Sequence, residues 1–149
     1  MQPRFLVCLF ICILIEDTVM IGEELSSGEE TEIVPQEFLG SWTALSRGQM
    51  AKFGDLALSQ NQIEFSKKGL FSFEIIELGD DQVYLKFDRK VDSGVFMRIG
   101  PIKKDQWLAD HYQMEVAYYE TKESLLRSEA GWEGSSSWGA YLKKVEIAE

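Results

Sequence analysis

Between residues 55 and 100 the chain alternates apolar and polar residues in short runs cut by turn residues, and this period of two constrains the fold most. The clearest run is Gln82-Val83-Tyr84-Leu85-Lys86-Phe87-Asp88. Side chains in a strand point to opposite faces in turn, so Val83, Leu85 and Phe87 share a buried face while Tyr84, Lys86 and Asp88 face water. Leu56 and Leu58, Ile63 and Phe65, and Phe71, Phe73 and Ile75 alternate in the same way, as do Val95, Met97 and Ile99. Gln60-Asn61, Lys67-Lys68-Gly69, Gly79-Asp80-Asp81 and Asp92-Ser93-Gly94 interrupt them as turns, and Gly100-Pro101 ends the last run. Turns at intervals of roughly 8 to 12 residues, with no helical period between them, describe an antiparallel meander. Such a sheet either exposes an edge or closes on itself. The expected fold class is all-β, a small antiparallel up-and-down meander barrel of about eight strands.

The ends of the domain are read from different signals. Pro35 to Phe38 suggests a turn or short 3₁₀ piece leading into a first strand near Gly40 to Ser46, and Gly48 and Gly54 mark a loop after it. Trp107 to Glu120 carries aromatic and β-branched residues enough for one or two strands. Thr121 is placed to cap one short helix near 122–130, stopped by Gly131, and Trp138 to Val145 supplies a final strand that returns to the first.

Ahead of the domain, Met1-Gln2-Pro3-Arg4 and the apolar run Phe5 to Ile15 read as a signal peptide over residues 1–22. Glu16 and Asp17 end the run well short of the roughly 20 apolar residues that a membrane-spanning helix needs. The expectation is a secreted or periplasmic protein without a stable membrane anchor; the alternative is a cytosolic protein starting at Met20. Cys8 and Cys12, the two cysteines, both lie in this run, so no disulfide is expected in the folded part. Residues 23–34, crowded with Glu23, Glu24, Glu29, Glu30 and Glu32, read as an acidic disordered linker, leaving 35–149 as the barrel domain.

Against this scaffold the chemistry is sparse. A formal net charge of −10 disfavours phosphate backbones, so no nucleic acid is expected as a partner. His111 is the single histidine, which leaves a histidine-based metal site or triad short of partners, and Asp80-Asp81 reads as turn chemistry. No catalytic residue, metal or cofactor is expected. Arg98, mid-strand, either faces the barrel interior and recognises a ligand carboxylate, or follows the alternation and faces solvent. Tyr112, Tyr118 and Trp132 are amphipathic rings suited to a pocket mouth or to packing.

The triplet Gly40-Ser41-Trp42, at the start of the first strand, resembles the signature of small bacterial lipocalin-like, or calycin-type, barrels. That resemblance implies a Trp42 seated at the closed end of the barrel beneath a basic residue of the final strand, Lys143 or Lys144, where lipocalins usually carry arginine. Gly40, Trp42 and Lys143 are then structural. The folded part is shorter than a lipocalin and lacks its disulfide cysteines. The run Phe38 to Trp42 also resembles the opening of fatty-acid-binding proteins, but Ser46 to Gly54 is too short for their helix pair. The function implied is an exported non-enzymatic barrel binding a small apolar ligand or a protein partner. The alternative is a filled barrel acting as a protein-interaction or inhibitor module.

Overall fold

The computed structural model describes residues 31–127 and 133–145. The chain divides between Thr31 and Glu32, and the second unit holds the folded domain. Its strands are β1 (Gly40–Ala44), β2 (Leu56–Leu58), β3 (Gln62–Phe65), β4 (Gly69–Leu78), β5 (Val83–Phe87), β6 (Phe96–Lys104), β7 (His111–Tyr119) and β8 (Ser137–Lys144). Each pairs antiparallel with the next, and β8 returns to β1 through Thr43↔Leu142 and Ala44↔Tyr141, so the sheet is a closed all-β barrel. The expected N-terminal signal and most of the acidic linker lie outside the described residues. Val34, assigned to the linker by composition, belongs to the fold: it is buried, and its backbone N–H and C=O both bond the Gln60 side chain, at 2.8 and 3.1 Å.

The interior is built by the alternation read from the sequence. Ile63, Phe65, Val83, Leu85, Phe87, Met97, Ile99, Met114 and Val116 are all buried on the inner face. Burying each large apolar side chain contributes about 1.5–3 kcal/mol. Rings fill one half of the barrel. Phe53 stacks on Tyr118 with centroids 4.4 Å apart, and Phe65 meets Phe71 and Phe87 edge-on at 5.9 and 6.5 Å. Phe87 in turn meets Phe73 at 6.4 Å.

Two departures from the sequence reading have local causes. The stretch after β1, read as a loop, contains a helix α1 (Arg47–Lys52): Ser46 caps it by accepting from Gln49 N at 3.2 Å, and Gly48 is tolerated near its start. Its buried Gln49 accepts a hydrogen bond from Tyr141 Oη at 3.2 Å and lies over Gly139, where a Cβ would come within 2.1 Å of the glutamine side chain. A polar residue is thus tied into the core because strand β8 presents a glycine beneath it. Strand β6, expected to end at Gly100-Pro101, continues to Lys104 through an irregularity between Ile99 and Ile102, after which pairing resumes as Ile102↔Met114. Glycine at φ +96° makes this detour sterically accessible.

The second helix, α2 (Lys122–Arg127), starts where expected, with Thr121 Oγ1 accepting from Ser124 N at 3.1 Å. It packs on β6 and β7, and its Leu125 joins Ala117, Tyr119, Ile76, Tyr84 and Phe96 in a small apolar cluster on the outer face.

Burial raises the phenols of Tyr118 and Tyr141 above the ordinary tyrosine value. Because the folded state favours the protonated phenol, the associated stability is fully present below about pH 10 and is lost as pH rises beyond it. An alkaline titration followed by phenolate absorbance and circular dichroism is expected to show these two rings ionising together with loss of the fold. Ionisation of both in an intact barrel would contradict the packing described.

Candidate functional site

At one end of the barrel the chain builds a plug and, beside it, a groove. The 3₁₀ turn Gln36–Phe38 tucks Phe38 into the core, and Trp42 Nε1 donates to Phe38 O at 2.8 Å. The Nζ of Lys143 lies 5.2 Å from the Trp42 ring centroid and donates to Leu39 O. Trp42 is therefore held from below by the turn and from the side by the last strand. Lysine reaches this position because Tyr141 and Lys143 share a face of β8, two residues apart, with Tyr141 buried in the core.

The groove has a volume of about 510 Å³ and is lined by Glu37, Trp42, Ile102, Tyr112, Lys143, Lys144 and Val145. Strands β6 and β7 create it by running past the Gly100 irregularity, which aligns Lys104, Tyr112 and Lys143 across three strands. The hairpin tip beyond is set by Asp105, whose Oδ1 accepts from both Trp107 N and Leu108 N at 2.8 Å. That turn leaves Trp107 89% exposed, and Leu108 and Tyr112 are exposed as well. The sequence reading placed Trp107 in a strand; Asp105 two residues ahead was the available sign of a turn.

Charge is distributed unevenly here. On a chain of net −10, Lys103, Lys104, Lys143 and Lys144 gather at the ends of β6 and β8. Glu37 enters the groove, and Glu115 sits 3.7 Å from Lys103. His111 Nδ1 pairs with Asp110 Oδ1 at 2.8 Å, and this hydrogen bond holds the Asp110 carboxyl below its usual range. Among the described residues no group of three His, Cys, Asp or Glu is placed to hold a metal ion. No described helix is long and apolar enough to cross a membrane.

The residues singled out from the sequence do not converge on one site. Tyr112 lines the groove rim, while Tyr118, on the same face of β7, is stacked deep in the core at the other end of the strand. Trp132 lies outside the described residues. Arg98 fits neither alternative. It points away from the interior, since Met97 and Ile99 point in, yet it is only 2% exposed because neighbouring strands and α2 cover that face. The alternation rule fixed its side of the sheet, but helix α2 packs on β6 and β7 there and a small cleft is what remains beside Arg98. Ile102, Trp107 and Val145 were not singled out beforehand, since their roles depend on how far β6 and β8 extend.

No family model, curated protein or solved structure matches the chain.

Proposed function

We propose that the chain is an exported, non-enzymatic barrel whose interior is structural and whose outer Trp42 end binds a protein partner. The observation that carries this reading is the ring packing of Phe53, Tyr118, Phe65, Phe71 and Phe87 across the space where a barrel would otherwise hold a ligand. Recognition then falls to the outside, where the turn joining β6 to β7 carries an exposed tryptophan and the flanking strands line an apolar groove bordered by Lys143 and Lys144. Exposed aromatic anchors next to a concave apolar wall are typical hot-spot chemistry. The complementary partner is a protein segment carrying carboxylates for Lys104 and Lys144 and an apolar side chain for the groove. Export follows from the apolar run Phe5 to Ile15. The Gly40-Ser41-Trp42 triplet and the Lys143 contact support a lipocalin-like relationship, with lysine in the place of the usual arginine.

A second reading, a small apolar ligand in the same groove, is favoured by its volume of about 510 Å³, within the usual range for small-molecule sites. Native mass spectrometry of the protein purified from its own source separates the two. A protein complex is expected, with Trp107→Ala weakening it roughly thirtyfold at unchanged thermal stability. A retained small molecule with no protein partner, or a complex indifferent to Trp107, would overturn the proposal.

A further inference from the structure

We propose that the outer face of strands β6 to β8 carries a binding site for a small monocarboxylate, anchored by Arg98 and independent of the groove at the Trp42 end. Arg98 is 98% removed from solvent, and its Nε and Nη1 have no hydrogen-bond partner among the described residues. A guanidinium does not shed its proton at any ordinary pH, so burial cannot be relieved by neutralisation as it is for lysine or histidine. A cation placed in this way calls for an anion. Of the polar groups on this face, Tyr84 Oη donates to Gln82 Oε1 at 3.0 Å and Glu115 sits 3.7 Å from Lys103. Tyr119 Oη, like Arg98 Nε, has no hydrogen-bond partner among the described residues and carries no charge to offset the guanidinium.

Arg98 lines a cleft of about 180 Å³ together with Gln113, Glu115, Val116, Trp138 and Ala140. That is about the liquid volume of six water molecules, room for a short-chain acid and little more. The planar fork formed by Nε and the Nη nitrogens matches a carboxylate in bidentate geometry. Ala140 and the ring of Trp138 supply apolar wall for a short alkyl chain, and Gln113 supplies an amide. Glu115, whose side chain also borders the cleft, disfavours a dianion such as phosphate and leaves a monoanion as the best match. Acetate, propionate and butyrate fit this description.

The test uses the full chain and sodium propionate, with propionamide as the neutral isostere and sodium chloride at equal ionic strength as the salt control. Propionate is expected to bind at one saturable site by calorimetry and to shift the Arg98 Nε–H resonance, while propionamide and chloride do neither. Arg98→Met should weaken propionate by at least about tenfold, yet the ligand-free variant should melt at or above the wild-type temperature, because an unpaired buried charge has been removed. Glu115→Gln should tighten propionate. If Arg98→Met does not fold, Arg98→Lys keeps the charge without the fork and should weaken propionate several-fold. A ligand-free Arg98→Met that folds but melts below wild type would show that the guanidinium already has a partner, and would overturn the proposal. So would identical responses to propionate and chloride.

Discussion

Replacing Gly100 with alanine is expected to destabilise the barrel by about 3 kcal/mol or more, a large part of the roughly 5–15 kcal/mol that holds a domain together. Two effects combine at this position. The backbone stands at φ +96°, where an L side chain is strained by about 1–2 kcal/mol. An added Cβ would also lie 2.3 Å from Asp81 O and 3.1 Å from Gln82 Cα, both backbone atoms of the β4–β5 turn that cannot swing aside. Overpacking of that kind costs about 1–3 kcal/mol further. Urea denaturation measures the sum, and a loss under 1 kcal/mol would mean that β6 takes another path past Pro101. Gly48→Ala is the internal control. Its Cβ meets nothing within 4 Å and it lies in α1, so a gain of about 0.5–1 kcal/mol is expected.

Trp42→Ala is expected to cost about 3–5 kcal/mol, the usual range for emptying a core aromatic site. The consequences go beyond the void. Phe38 O loses the indole donor, and the Lys143 ammonium loses the ring beneath it. Trp42→Phe restores part of the volume but not the donor, so it should recover part of the loss. Lys143→Met keeps an apolar stem over the ring and removes both the cation–π contact and the bond to Leu39 O. Because the two residues touch, their double mutant should be less destabilised than the sum of the singles. Strict additivity in thermal and urea unfolding would show that Lys143 merely lies near Trp42.

How much of this could be read from the residues depended on the range of the interaction concerned. Val83, Leu85 and Phe87 declare their face within a single strand, because the pleat repeats every two residues, and the same holds for Ile63 and Phe65. The return of β8 to β1 was legible through Trp42 and Lys143, where a family resemblance supplied a long-range contact that no local pattern contains. Gln49 was opaque: a polar side chain after a glycine reads as loop, and its burial depends on Gly139, ninety residues later in the chain. Arg98 was half legible, since periodicity gives a side of the sheet and says nothing of what else lies on that side. The groove was the least visible, because Ile102, Tyr112 and Val145 meet only once β6 has passed its irregularity.

The seam between β1 and β8 carries one more implication, for how the molecule is made. Thr43↔Leu142 and Ala44↔Tyr141 join residues almost a full domain apart in sequence, while every other strand pairs with its immediate neighbour. During synthesis the first seven strands can assemble as they emerge, but the first strand has no second neighbour until Ser137–Lys144 has left the ribosome. Until then the nascent sheet carries two bare edges, and sequence-distant pairing of this kind is slow to form. The final strand therefore acts as the clasp of the molecule, and any defect in it, a premature stop above all, would release an open sheet prone to pair with other chains.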